Sequence, residues 1–399
     1  MKAGVFMYPQ NRADLERFVA RENGEDSAAK YGQDTALWEE DLRFGDLVEP
    51  LGFDSIWTVE HHFSPYAMVT SPLQYLAYWA GRTRRIGMGT MVVVLPWHHP
   101  MRVAEEMVML QYMLGDRDLM VGFGRGAARR EYGGFNIPQS QSRGRFDEAV
   151  QVLRTALTTE RFAHHGEYYT IPDASQRPQS PHLSLRPQPR DGRKIVDNFL
   201  AAWGSPQSVP IVARLGLRPL IIPQRGFREY VTELDEYYRA TATAGFQPSR
   251  PTVAFWTYCG EKKGESRAAA EPYNMGNMAL GNVNYEMLDG YHSKIPGYEW
   301  YGNMAKQARE AAAAAAAADG TPYNDMPQGT PDECIEKIKE INDLIHPRQW
   351  LFDFKFGGMP YEVAEKSIKL FAKEVLPFVH GLAEPPSPRV EANAAKATA

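Results

Sequence analysis

Cysteine is scarce in this 399-residue chain, which contains only Cys259 and Cys334. Two cysteines can form at most one bridge, which excludes the multi-disulfide framework of a small secreted domain. We therefore expect two reduced thiols and a cytoplasmic protein. We also expect no signal peptide, because the apolar stretch within residues 1–7 is short and polar residues follow at once.

Long runs of one residue type are also missing. No stretch approaches the roughly 18 consecutive apolar residues of a membrane-spanning helix, and there is no long basic run. The net charge of −5 does not indicate a surface for nucleic acid or for an anionic membrane. The hydrophobic fraction of 43% is enough for a large globular core and unlike the composition of a disordered chain.

The sequence does contain a regular alternation of short apolar runs with amphipathic segments, which is typical of parallel βα units. Strands are predicted at residues 2–8, 55–61, 86–95, 118–124, 198–203, 219–223, 252–258 and 350–356. Helices are predicted at residues 35–51, 72–82, 101–113, 143–157, 206–215, 227–243 and 361–378. Eight successive units favour a closed (β/α)8 TIM barrel over an open doubly wound sheet.

Two segments interrupt the alternation. Residues 176–193 are rich in Pro, Ser, Gln and Arg and are predicted to form a loop or an extended crossing. An insertion at about 268–330 separates strands seven and eight, and its alanine run at 311–318 favours helix. We expect a single domain over residues 1–383 and a disordered Pro/Ala-rich tail over 384–399.

A TIM barrel carries its site at the carboxyl ends of its strands. The residues that follow the predicted strands are therefore the candidates for anion binding. The turn at Gly204 and Ser205 leads into a predicted helix at Pro206, whose free N–H groups suit an anion. Ser205 and Ser208 add hydroxyl donors, and simple N-capping by Ser205 is the alternative. Arg125 lies between two glycines at the end of strand four, where a guanidinium matches a phosphate or forms a salt bridge at the rim.

Two adjacent histidine pairs, His61–His62 and His98–His99, follow strands two and three. Neighbouring strand residues point to opposite faces, so each pair offers one inward ligand, and no His-x-His or His-x-x-x-His motif is present. A metal site is one interpretation. A neutral imidazole that stabilises a peroxide anion or moves a proton is another, and a buried histidine bonded beside Glu60 is the third.

Taken together, these segments resemble the bacterial luciferase-like flavin monooxygenases. The resemblance rests on the order and spacing of motifs over most of residues 1–225, and the insertion lies outside it. The matching stretches are GFDSIWTVEHHF (52–63), SPL (71–73), RTRRIGMGT (82–90), VVVLP (92–96), HHP (98–100), VAEE (103–106), VGFGRG (121–126), EY (131–132), AWGSPQS (202–208) and FAKEVLP (371–377).

The resemblance implies a site for FMN. By position, Arg125, Ser205 and Ser208 would hold the phosphate at the Gly204 turn, with Arg143 as a further cation. Two features depart from the family pattern: a tryptophan stands before Gly204 where many relatives carry a small residue, and the loop before strand five lacks the usual Pro-x-Trp sequence.

The resemblance also implies the chemistry. Thr90, Met91 and Val92 would lie behind the isoalloxazine ring, and His61 matches the catalytic histidine of the family. Reduced FMN would react with O2 to give a C4a-(hydro)peroxide that must be shielded from water. Four aromatic residues are candidates for the pocket wall or, equally, for the core: Phe6, Trp57, Trp97 and Trp203.

The expected protein partner is inferred from the lack of a dinucleotide-binding motif. No Gly-x-Gly-x-x-Gly fingerprint follows a strand, so we expect a separate NAD(P)H-dependent reductase to supply reduced flavin. The family implies a homodimer. The insertion is either a lid or a surface excursion or dimer contact, and its aromatic residues suit a small apolar or aromatic substrate. Three alternatives stay open: an F420-dependent oxidoreductase, a metal-dependent hydrolase on the same barrel, and a flavin-binding protein without activity.

Overall fold

The computed structural model describes residues 1–25, 34–176, 178–286, 290–303, 306 and 322–388. Eight parallel strands form a closed barrel in which each strand pairs with the next and the eighth pairs with the first. The strands are β1 (Lys2–Phe6), β2 (Ser55–Thr58), β3 (Gly87–Val94), β4 (Leu119–Gly124), β5 (Phe199–Ala202), β6 (Arg218–Ile221), β7 (Thr252–Trp256) and β8 (Gln349–Asp353). The predicted TIM barrel is confirmed.

Helices surround the barrel, and those that flank it carry the apolar faces that pack on the strands. The described helices are α1 (Leu15–Glu22), α2 (Asp34–Gly45), α3 (Pro72–Arg82), α4 (Pro100–Leu114), α5 (Arg129–Gly134), α6 (Ser142–Thr158), α7 (Gly192–Asp197), α8 (Val209–Arg214), α9 (Phe227–Thr243), α10 (Ser266–Tyr285), α11 (Pro331–Ile345), α12 (Tyr361–Glu374) and α13 (Leu376–Gly381). No helix among these residues is long and apolar enough to cross a membrane.

Each predicted strand overlaps an observed strand, but several predictions run two or three residues too far. The backbone leaves the ladder at Phe6, Thr58 and Asp353, although buried residues continue beyond these points. Those residues begin the βα loops that build the mouth of the barrel. A run of buried residues therefore marks a strand more reliably than it marks the end of that strand.

The barrel interior explains the position of Trp57. A Cβ added to Gly89 would lie 2.2 Å from the Trp57 ring, and one added to Gly4 would lie 3.1 Å from it. The two glycines on the neighbouring strands thus make room for the indole, and its Nε1–H donates to Ser55 Oγ at 2.9 Å. Trp57 is a core residue of the barrel.

The two interrupting segments have more structure than the sequence suggested. A short antiparallel pair of strands, His164–His165 with Thr170–Ile171, precedes the first segment. Helix α7 begins at Gly192, within the last residues of the predicted loop. The insertion begins with α10, which packs closely on the barrel, because a Cβ on Gly276 would meet the Gly357 carbonyl oxygen at 2.1 Å. The alanine run at 311–318 lies outside the described residues, as does the predicted tail from 389 onwards.

Candidate active site

A cavity of about 170 Å³ lies at the C-terminal ends of the strands, between the barrel and the insertion. Glu60 and His61, which follow β2, line one end, and the residues after β4 and β5 line the other. Eight of the residues predicted from the sequence meet on its wall: His61, Met91, Val92, Arg125, Arg143, Trp203, Gly204 and Ser208. The cavity therefore has a histidine end and an arginine end.

At the arginine end, Arg125 follows the last residue of β4. Its Nη2 donates to the carbonyl oxygen of Gly297 at 2.9 Å, and its guanidinium carbon lies 4.4 Å from the centre of the Tyr298 ring. Its Nη1 is buried without a hydrogen-bond partner. A buried guanidinium nitrogen without an acceptor is costly unless an anion or water supplies one.

The second cation, Arg143, lies in the first turn of α6. With the residues that the structure describes it forms no hydrogen bond and no ion pair within 4 Å. Burial and then the nearby charge of Arg125 lower the pKa of Arg143 to about 10. Its strongest favourable charge, Asp147, is already paired with Arg214. Two guanidinium groups that repel each other inside one cavity are a site suited to an anion such as a phosphate.

The turn after β5 is built differently from the prediction. Residues Pro206–Ser208 form a 3-10 turn, and only Val209–Arg214 form an α-helix. A helix this short contributes little dipole, so the expected helix-terminus contribution is small here. Ser208 lines the cavity, whereas Ser205 is buried behind it with its Oγ 3.2 Å from Ser208 Oγ.

A third arginine holds this turn in place. Arg225 donates to the carbonyl oxygen of Gly204 at 2.9 Å and forms an ion pair with Glu233. Glu233 also accepts a hydrogen bond from Trp203 Nε1 at 3.0 Å. The charge of Arg225 is therefore balanced within the protein, unlike the charges of Arg125 and Arg143.

At the histidine end, His61 is held from both ring nitrogens. Nδ1 lies 2.9 Å from Oε1 of the fully buried Glu131, and Nε2 lies 3.1 Å from the hydroxyl of Tyr285. Burial raises the pKa of Tyr285 well above its ordinary value, so its hydroxyl keeps its proton and can donate it to Nε2 when Nδ1 carries the ring proton. The imidazole then donates Nδ1–H to Glu131, which also accepts from the backbone N–H of His62 at 2.9 Å.

The other three histidines belong to separate networks. His98 Nε2 and His62 Nε2 lie 2.6 Å and 3.2 Å from Oε1 of Glu60, and the ring of His99 accepts from Met101 N. Burial opposes ionisation of Glu60, but His98 and His62 hold its pKa below the ordinary value. Within the described ranges, no group of three or more His, Cys, Asp or Glu residues is arranged to hold a metal ion.

Between the two ends, the wall is mostly apolar. Met91 and Val92 of β3 line it, and the pairing of β3 with β4 shifts register between Met91 and Val93. The Met91–Val92 peptide bond is cis. Thr90 does not reach the cavity, because its hydroxyl donates to the Gly122 carbonyl oxygen at 2.9 Å inside the barrel.

Three of the four proposed wall aromatics lie elsewhere. Trp57 is in the barrel core, and Phe6 packs in the core against Tyr8 and Trp256. Trp97 lies behind the β4 loop, where a Cβ on Gly126 would meet its ring at 2.6 Å. Of the four, Trp203 lines the cavity.

Several residues of the site were not selected from the sequence. Glu131 falls in one of the matching stretches, but nothing in its local sequence connects it with His61, 70 positions away. Tyr285, Tyr298 and Tyr301 belong to the insertion and line the cavity. The sequence signal for these residues was the high number of tyrosines in the insertion. That number does not indicate which of the tyrosines face the barrel.

Comparisons with known proteins identify the family and the fold. The family model described as luciferase-like monooxygenase matches residues 4–345. The 4-hydroxyprotoasukamycin monooxygenase of Streptomyces nodosus subsp. asukaensis is 26% identical over 353 residues, which are 87% of this chain and 88% of that protein.

Two solved structures have the same fold. Monooxygenase RslO1 from Streptomyces bottropensis has a TM-score of 0.69 and 26% identity and covers 95% of this chain and 100% of its own. The oxygenating constituent of 3,6-diketocamphane monooxygenase from Pseudomonas putida, a type II Baeyer–Villiger monooxygenase in complex with FMN, has a TM-score of 0.66 and 18% identity. It covers 94% of this chain and 98% of its own. The chain therefore belongs to the luciferase-like monooxygenase family and is a monooxygenase enzyme of that family.

Proposed function

We propose that this chain is the oxygenating component of a two-component monooxygenase. It would use reduced FMN and O2 to oxidise a small apolar or aromatic organic substrate, and a separate NAD(P)H-dependent flavin reductase would deliver the reduced flavin. A homodimer and a cytoplasmic location belong to the same proposal. The observation that carries it is a single cavity with two uncompensated arginines at one end and an oriented histidine at the other.

The arginine end fits the phosphate of FMN. Arg125 Nη1 is buried without an acceptor, Arg143 has a depressed pKa, and the Ser208 hydroxyl lies on the same wall. Phosphate oxygens would supply the acceptors and the negative charge that this end requires. The negative charge of the phosphate would also relieve the repulsion between the two guanidinium groups.

The apolar middle of the cavity matches the flavin ring and a substrate of low polarity in its chemistry. Met91, Val92 and Trp203 supply this surface, together with Val94, Phe146, Ala201, Ala202, Val212 and Ile222. Such walls exclude water, which strengthens electrostatic interactions inside the cavity. Reduced flavin, when bound, supplies the electrons with which O2 is activated.

At the histidine end, the side chains can hold and move one proton. Glu131 fixes the orientation and tautomer of His61 through Nδ1, so Nε2 is the atom available for exchange. Tyr285 already contacts that atom at 3.1 Å. His61 can therefore accept a proton from, or return it to, a group bound beside Nε2.

Flavin titration of the purified chain under anaerobic conditions is the first test. We expect tighter binding of reduced than of oxidised FMN, and O2 consumption only when a flavin reductase and NAD(P)H are supplied. Binding of F420 without a response to reduced FMN would reverse the cofactor assignment. O2 consumption from NAD(P)H by the chain alone would contradict the two-component arrangement.

Replacing the histidine tests its part in the reaction. His61→Ala should slow reoxidation of bound reduced FMN by about 10²-fold or more, the usual contribution of a proton-transfer group, because the exchangeable Nε2 is lost. FMN affinity should change less than about twofold, since the phosphate end is untouched. Stopped-flow absorbance measures the rate, and an unchanged rate removes His61 from the mechanism.

A further inference from the structure

We propose that Tyr301, carried by the insertion, donates a hydrogen bond to the phosphate of the bound mononucleotide. Residues 290–303 of the insertion would then cover the phosphate end of the cofactor, and Tyr301 would form part of the anion site. This inference rests on the proposed function and deepens it, because it assigns a ligand that the barrel strands do not provide.

The position of Tyr301 is the first observation. A Cβ added to Gly204 would lie 2.4 Å from the Tyr301 hydroxyl oxygen, so this hydroxyl packs directly on the backbone of the β5 turn. The same residue lines the cavity beside Arg125 and Arg143. The insertion, the turn after β5, the loop after β4 and helix α6 thus meet at the place proposed for the phosphate.

The chemistry of this hydroxyl is the second observation. It makes no hydrogen bond within the part of the chain that the structure describes. Burial raises the pKa of Tyr301, while the charges of Arg125, Arg225 and Arg143 act in the opposite direction. The group stays protonated at neutral pH, and a neutral O–H among arginines is a donor that lacks an acceptor. A phosphate oxygen is the acceptor that serves it and the arginines together.

The third observation is the way in which residues 290–303 are attached. The Tyr298 hydroxyl lies 2.7 Å from the Gly126 carbonyl oxygen and 3.1 Å from Ser142 Oγ. His292 Nε2 lies 2.8 Å from the Ala127 carbonyl oxygen, and the Gly297 carbonyl accepts from Arg125. These contacts dock the segment on the loop that carries Arg125, which is the arginine end of the cavity.

The cavity is small for a cofactor site. About 170 Å³ is below the roughly 300 Å³ at which small-molecule sites begin. A mononucleotide would need more room than this, and an outward shift of residues 290–303 would provide it. A phosphate oxygen could take the place of the Gly297 carbonyl oxygen as the acceptor for Arg125, which would favour this shift.

Comparing FMN with riboflavin isolates the phosphate contribution. Tyr301→Phe should weaken FMN binding by about 10-fold or more, as expected for one hydrogen bond to a charged group. Riboflavin affinity should stay within about twofold, since riboflavin has no phosphate. Tyr285→Phe is the matched control: it removes a hydroxyl from the same insertion at the histidine end and should leave the FMN-to-riboflavin affinity ratio unchanged. Flavin fluorescence quenching gives both constants, and melting curves verify that each variant is folded.

The outcomes separate the two proposals. A wild-type chain that binds neither FMN nor riboflavin overturns the proposed function and this inference with it. A wild-type chain that prefers FMN, together with a Tyr301→Phe variant that has the same preference, overturns the tyrosine assignment alone. Equal weakening of FMN and riboflavin by Tyr301→Phe also overturns it, because that result places the hydroxyl away from the phosphate.

Discussion

The two ends of the cavity handle charge in opposite ways. At the histidine end, a buried carboxylate stands beside each imidazole that enters a network: Glu131 beside His61, and Glu60 beside His98. At the arginine end, neither Arg125 nor Arg143 has a carboxylate within ion-pair distance among the residues described here. Arg225, which donates to the Gly204 carbonyl oxygen beside the cavity, is paired with Glu233, so a balanced arginine was possible in this fold.

This difference separates a preorganised region from one that is completed by a ligand. The protein fixes the histidine end before anything binds, which is what oriented proton transfer requires. It leaves the arginine end with a surplus of positive charge, which destabilises the free protein and favours an anion. Stability is given up where the cofactor would be held.

Removing the unpaired charge of Arg143 should have the largest effect on binding. We expect Arg143→Gln to weaken FMN by about 100-fold, the scale of one or two charge-assisted hydrogen bonds, with riboflavin nearly unaffected. The same variant should raise the melting temperature of the ligand-free protein, because the repulsion with Arg125 is relieved. Fluorescence titration and calorimetry measure these opposite shifts.

Arg145→Gln is the matched control for that variant. It makes the same charge change on the same helix, but Arg145 bonds to Gln141 Oε1 at 2.9 Å and does not line the cavity. It should change neither FMN affinity nor the affinity ratio. A similar loss of FMN affinity in both variants would mean that only the net charge of α6 matters, and the contrast between the two ends would fail.

At the histidine end, breaking the pair of Glu131 with His61 should slow flavin reoxidation and leave FMN affinity nearly unchanged. Glu131→Gln keeps the shape but removes the charge that orients His61, and we expect reoxidation of reduced FMN by O2 to slow by about 10-fold. FMN affinity should stay within about twofold. Glu148→Gln is the control, since Glu148 pairs with His164 at 3.0 Å outside the cavity. Equal rates in the two variants would leave Glu131 with a structural role only.

Changing a buried carboxyl at the end of β8 should produce the smallest effect. Burial raises the pKa of Asp353 to about 8, so this carboxyl is protonated at neutral pH in the folded chain. Its contribution to stability is complete below the unfolded pKa near 3.8 and is lost as the pH rises through about 8. Asp353→Asn should therefore lose less melting temperature than the wild type between pH 6 and pH 9. A parallel decline in both proteins would show that Asp353 is ionised when folded.

Much of the fold was predictable from sequence because buried parallel strands and amphipathic helices leave periodic patterns. The helices Pro72–Arg82 and Phe227–Thr243 were predicted with the bounds that the structure has. The strand-end rule brought Arg125, Gly204 and His61 to one cavity although they come from three different units. That rule works because every strand of a parallel barrel ends on the same face.

The remainder depended on tertiary contacts that no local pattern records. Trp57 and Trp203 look equivalent in sequence, but two glycines on neighbouring strands give Trp57 a place in the core. Glu131 and Tyr285 reach His61 from a short helix and from the insertion, 70 and 224 positions away. Sequence spacing cannot predict such contacts, because loops and insertions have no regular repeat that fixes which residues meet.

A crystal structure of the chain with FMN tests the central claim most directly. The phosphate should lie within hydrogen-bond distance of Arg125 Nη1 and of Arg143, with the ring between Met91 and His61. A phosphate at the histidine end, or in solvent away from both arginines, would contradict the account.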